Sequence, residues 1–91
     1  MFEFELSEKL QKIFKKLAKK DKVRLEIALK KIEEICSSPD IEHYKNLSYD
    51  LKEFKRVHID SHFVLTFRLD KQNKKIRFED LQHHDTIYKK I

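Results

Sequence analysis

The side chains that could move protons near neutral pH are histidines, and most of them lie in the second half of the chain. His83 and His84 are adjacent, and Tyr88 follows His84 by four residues. Arg56 and His58 lie two residues apart further upstream. A guanidinium can hold a phosphate and stabilise its pentacovalent transition state, while an imidazole can transfer protons at a 2′-hydroxyl and a leaving oxygen. These residue types favour cleavage of RNA phosphodiester bonds.

The charge of the chain favours a polyanionic partner. The formal net charge is +5. Residues 1–50 carry 11 Lys and Arg against 10 Asp and Glu, whereas residues 51–91 carry 10 against 6. Clustered basic side chains bind nucleic-acid phosphates. A lysine-rich surface also keeps proteins soluble, so charge alone leaves both interpretations open.

Length and composition predict a single domain, residues 1–91, in a reducing cytoplasm. Ninety-one residues allow one modest core and no large enclosed pocket. The one cysteine, Cys36, cannot form an intramolecular disulfide and falls in a helical pattern, which predicts a small buried apolar side chain. No apolar run is long enough to span a bilayer, so we expect no membrane contact.

The first half of the chain predicts a strand and two helices. Residues 2–6 alternate apolar and acidic side chains, as a half-buried strand does. Ser7 predicts the N-cap of a helix reaching Lys19, and Asp21 predicts the cap of a second helix that ends at residues 37–39. Apolar residues follow helical spacing in both: Leu10, Ile13, Phe14 and Leu17, then Leu25, Ala28, Leu29, Ile32 and Ile35. This αα-hairpin must bury its stripe against another surface.

The second half predicts three strands that can supply that surface. Residues 54–59, 63–69 and 75–81 alternate with period two and are separated by short Asp- and Asn-containing turns. We therefore predict an α+β fold, in which an N-terminal strand and the αα-hairpin pack on a small antiparallel sheet. Alternation places the apolar set on the helix side and Arg56, His58, Arg68 and Arg77 on the other face, unless a bulge inverts it locally.

Simpler interpretations exist for each histidine. His62 falls in a turn and fits a solvated loop residue, and His58 fits an exposed strand position. His83 and His84 would point to opposite faces of a strand. Adjacent histidines lack the usual ligand spacing and no acidic cluster converges with them, so neither a metal nor another cofactor is expected.

The order of elements, together with "HYKNL", "FKRVHI", "VLTF" and "HHDTIY", resembles the RelE/ParE superfamily of toxins from type II toxin–antitoxin systems. The likeness spans essentially the whole chain and is greatest for the RelE branch, with its YafQ- and YoeB-like members. Its most specific pieces are Lys45-Asn46-Leu47, the strand pair around His58, and the pair of histidines before Tyr88.

The resemblance implies a metal-independent mRNA interferase that cuts mRNA on the ribosome and inhibits translation, silenced by a RelB-type antitoxin. It implies that Tyr88 stacks on or orients a base and that His84 acts as general acid or phosphate ligand, with His58 and Arg56 beside them in the catalytic set. Further RNA contacts are expected from basic residues on and near the sheet: Lys45, Lys52, Lys55, Arg68 and Arg77.

One departure from the family pattern leaves other functions open. RelE-type members have an arginine early in the strand that is predicted here over residues 63–69, where this chain has Val64. Either Arg56 or Arg68 substitutes, or the YafQ-like histidine arrangement applies, or cleavage is weakened. The alternatives are a ParE-like gyrase inhibitor that cuts nothing and a module that binds nucleic acid without catalysis.

Overall fold

The computed structural model describes residues 2–38 and 54–83. Its elements follow in chain order: β1 (Glu3–Leu6), α1 (Glu8–Lys20), α2 (Lys22–Ser37), β2 (Lys55–Ile59), β3 (Phe63–Asp70) and β4 (Lys75–His83). The predicted α+β fold is confirmed, and so is the antiparallel meander of the last three strands.

The two helices begin at the residues that the sequence predicts. Ser7 Oγ accepts a hydrogen bond from the backbone N–H of Leu10 at 3.0 Å, and Asp21 Oδ1 accepts one from Arg24 at 3.1 Å. These side chains satisfy N–H groups that have no partner within the helix, which is why serine and aspartate favour such positions. Asp21 also closes α1, because its N–H donates to Leu17 O at 2.8 Å.

The sheet is mixed rather than purely antiparallel, which corrects the sequence expectation. Its strand order is β1-β4-β3-β2, and β1 runs parallel to β4. Parallel neighbours need a long crossover, which the chain between β1 and β4 provides, with both helices in it. The N-terminal strand therefore completes one edge of the sheet.

The core lies between the helices and one sheet face. Within residues 2–38 and 54–83, twelve buried residues form it, among them Leu10, Ile35, Phe67 and Phe78. Cys36 is buried there as predicted, and burial raises the pKa of its thiol. Leu29 was predicted to be part of the helical stripe and is instead 46% exposed. It lines an apolar groove between α2 and β1, at the margin of the helix–sheet contact.

A bulge in β4 changes which residues face the core. Thr66 pairs with Asp80 and Phe67 pairs with Phe78, so Glu79 is the extra residue. Leu81 consequently lies on the helix side, only 5% exposed, and Asp80 on the other. None of the helices in the described ranges is long and apolar enough to cross a membrane.

Candidate functional site

The sheet face away from the helices carries the side chains predicted to act. Strand register aligns Arg56 with Thr66 and Asp80 in one row, and His58 with Val64 and Gln82 in the next. Arg56 is half-buried and His58 is exposed. They lie two residues apart on the same side of β2, about 7 Å by strand geometry, so one phosphate group can reach both.

The middle of this face carries two buried, uncharged side chains rather than a continuous row of exposed cations. Val64 is fully buried and Thr66 is 3% exposed, although Val64 does not belong to the helix-facing core. Thr66 Oγ1 donates to Asp80 O at 3.5 Å. Where the resemblance predicts an arginine, this chain therefore has a buried aliphatic residue.

An acidic residue that the sequence did not single out lies in the Arg56 row. The Asp80 carboxylate receives Lys9 Nζ at 3.0 Å, Gln82 Nε2 at 2.5 Å and its neighbour's backbone N–H at 2.9 Å. Its side chain is 16% exposed. Three donors fix the carboxylate and its negative charge about 10 Å from Arg56, two strand spacings away. The available signal was Glu79-Asp80, two acidic residues in succession that break the strand alternation.

A charged groove of about 580 Å³ lies on the same face at the β3–β4 turn. Four cations and two carboxylates line it: Arg68, Lys71, Lys75, Arg77, Glu5 and Asp70. The Arg68 guanidinium lies over the Phe54 ring, 4.6 Å from its centroid. This cation–π contact presents Arg68 in a defined orientation to the groove.

Arg77 is already engaged by two carboxylates. Its Nη1 lies 3.2 Å from Glu5 Oε1, and its Nε lies 2.5 Å from Glu79 Oε1. The hydrogen bonds that Arg77 donates, first to Glu5 and then to Glu79, raise the pKa of its guanidinium. A phosphate would have to compete with both partners. Arg77 is therefore not freely available to bind RNA.

The structure brings only some of the predicted site residues together. Arg56, His58, Arg68 and Arg77 share the face away from the helices, as expected. Lys55 does not, because it pairs with Phe67 and so lies on the helix side of β2. The other predicted residues fall outside the described ranges: Lys45, Lys52, His84 and Tyr88. Within residues 2–38 and 54–83, no three metal-ligating side chains converge.

Comparisons with known proteins identify the family. The chain is 53% identical over 90 residues to a protein of Methanocaldococcus jannaschii named "Putative toxin RelE4", covering 99% of this chain and 94% of that protein. The chain belongs to the RelE family of toxins. No family profile matches it.

Solved structures show the same fold. The toxin superposes on a metal-bound toxin from Helicobacter pylori with a TM-score of 0.75 at 25% identity, covering 96% of this chain and 99% of the other. Isolated E. coli RelE gives a TM-score of 0.69 at 15% identity, with each chain covered in full. E. coli YafQ gives 0.64 at 20% identity, covering 97% and 99%.

Proposed function

We propose that this toxin is an endoribonuclease that cuts mRNA on the ribosome and thereby inhibits translation in the cytoplasm. The observation that supports this most directly is the position of half-buried Arg56 and exposed His58 together on one strand, on the same face as the cationic groove. Membership of the RelE family adds the expectation of a toxin. The fold alone carries no chemistry, so the proposal depends on these side chains.

In the proposed reaction, cations hold the RNA backbone and imidazoles move the protons. Arg56 binds the scissile phosphate and stabilises the charge that grows on it, because a guanidinium can donate two hydrogen bonds to phosphate oxygens. His58 and His84 are the proton-transfer candidates, and Tyr88 stacks on a base. The RNA phosphates further along the strand are bound by Arg68, Lys45 and Lys52. The 2′-hydroxyl attacks phosphorus, the leaving 5′-oxygen takes a proton, and a cyclic phosphate remains.

Because Val64 lies where the resemblance predicts an arginine, another residue must bind the scissile phosphate. A buried valine can neither donate to a phosphate nor carry charge. Arg56, one strand spacing and one row away, is the nearest described arginine on this face that can take over this role. We therefore propose that Arg56, rather than a residue of β3, is the principal phosphate ligand.

An antitoxin of RelB type is the proposed partner. A mutant of E. coli RelE, similar to this chain with a TM-score of 0.66 at 17% identity, has been solved with an antitoxin RelB peptide. An acidic segment that folds on binding would neutralise the same cations that hold RNA. Copurification with the product of a neighbouring acidic reading frame tests this partnership independently of cleavage.

Cleavage of mRNA on programmed ribosomes tests the activity. We expect the wild-type toxin to cut mRNA in the A site. The cleavage rate should fall by roughly 10²-fold to 10⁴-fold in each of three variants that remove a proton-transfer or charge-stabilising group: Arg56→Ala, His58→Ala and His84→Ala. Tyr88→Phe should keep stacking and preserve most of the rate. Lys30→Ala, an exposed change on α2, is the matched control. Intact mRNA together with blocked gyrase supercoiling would identify a ParE-like inhibitor instead.

A further inference from the structure

Two histidine rings meet on the helix side of the sheet, away from the proposed RNA face. His83 is the cross-strand partner of Phe63, whose side of β3 faces the helices. His62 lies in the turn between β2 and β3. The two imidazole rings are nearly parallel, with centroids 6.1 Å apart and planes at 3°. Both residues are exposed to solvent.

Phe63 packs against one member of this pair, His83. The Phe63 ring stands edge-on to His83, with centroids 5.5 Å apart and planes at 73°. The Arg24 guanidinium covers Phe63 at 4.1 Å. Two carboxylates accompany Arg24, Asp21 at 2.6 Å and Asp60 at 3.5 Å. The charge of Arg24 is thus balanced by these two carboxylates.

We propose that His62 and His83 bind one transition-metal ion of the Zn²⁺ or Ni²⁺ class, each through one ring nitrogen, with water completing the coordination. Metal–nitrogen bonds of about 2.1 Å put the centres of two imidazoles on one ion roughly 5 to 6.5 Å apart, and the 6.1 Å separation seen here lies towards the upper end of that range. Parallel rings must turn about their Cβ–Cγ bonds to aim at a common point. Their exposure leaves room for that rotation.

The ion would connect two parts of the chain that are distant in sequence. It would tie the β2–β3 turn to the end of β4, directly before His84. The site takes no part in the proposed RNA cleavage, because it lies on the opposite side of the sheet from Arg56 and His58. Its existence can be tested without reference to nuclease activity.

Calorimetric titration of tag-free protein with Zn²⁺ tests the site. We expect one ion per chain and a loss of affinity on the order of tenfold or more in both His62→Asn and His83→Asn, because either change removes the chelate. His58→Asn, a matched change on the other face, should bind as wild type does. Zn²⁺ should raise the melting temperature of wild type and of His58→Asn, but not of His62→Asn. Such a rise is expected because an ion that binds the folded state stabilises it.

Several results would overturn the proposal. Unchanged affinity in either His62→Asn or His83→Asn would show that the two rings do not share an ion. Loss of binding in His58→Asn or His84→Asn would place the ion among the residues proposed for RNA cleavage. Circular dichroism without metal checks that each variant is folded before it is scored.

Discussion

Arg24 connects three parts of the molecule through one guanidinium. It donates to the Asp21 carboxylate that caps its own helix, approaches Asp60 in the β2–β3 turn, and covers the Phe63 ring. Asp60 has a positive φ of 52°, a conformation that costs energy in a residue with a Cβ. Contacts from Arg24 hold this turn against α2.

Replacing Arg24 should loosen that attachment. We expect Arg24→Met to lower the free energy of unfolding by about 1 kcal/mol, combining a partly exposed ion pair with a cation–π contact. Urea unfolding measures the change. Lys30→Met on the exposed side of α2 removes the same charge and is expected to leave stability nearly unchanged. Equal losses in both variants would mean that net charge, rather than the Arg24 contacts, is responsible.

Asp70 gives the β3–β4 turn a dependence on pH. Its carboxylate accepts hydrogen bonds from the Asn73 side chain at 2.8 Å and the Asn73 backbone N–H at 3.2 Å, which lower the pKa of Asp70 below its ordinary 3.8. A lowered pKa means that these bonds stabilise the fold above the unfolded-state pKa and are lost as pH falls through the folded-state pKa. Asn73→Ala should therefore destabilise the protein at neutral pH, and by progressively less as the pH falls below 3.8 and through the folded-state pKa of Asp70. A constant gap across a pH series of thermal unfolding would contradict this.

At the scale of elements, Ser7 joins the start of α1 to the bulge of β4. Its hydroxyl accepts from Leu10 N–H and donates to Glu79 O at 2.6 Å, and the residue is 6% exposed. Ser7→Ala removes both bonds and leaves a partly buried carbonyl without this donor. We expect a loss of about 1.5 to 2 kcal/mol in the free energy of unfolding. Ser37→Ala, exposed at the end of α2, should stay within about 0.5 kcal/mol of wild type.

The elements themselves were predictable because their signals are local. Both helices have a capping residue and an apolar stripe, and the three meander strands alternate with period two. The bulge was not predictable from period alone, since strict alternation would put Asp80 in the core and Leu81 outside. Burial of Leu81 decides the register, and that choice depends on contacts with residues far along the chain.

Pairing between distant segments explains the other differences. The parallel contact of β1 with β4 joins residues more than 70 positions apart, and no local pattern encodes it. Period two assigned Arg56 and His58 to one face correctly. The same period-two alternation places Lys55 on the helix side. Lys55 was predicted to bind RNA because it is next to Arg56 in the sequence, and not because the two side chains share a face. Burial of Val64 on the far face also required the tertiary structure.

Across the whole molecule, carboxylates set how strongly the cationic groove can attract a polyanion. Glu5 lies in that groove and is paired with Arg77, whereas Glu33 is exposed on α2 beside the apolar groove. Glu5→Gln and Glu33→Gln change the net charge equally. Only Glu5→Gln removes the charge of one of the two carboxylates that hold Arg77, so it should tighten binding to a single-stranded RNA oligonucleotide and steepen the salt dependence by roughly 0.7 per added phosphate contact. Fluorescence anisotropy over a salt series measures both. Equal effects of the two variants would show that RNA senses only the net charge of the protein and not this groove.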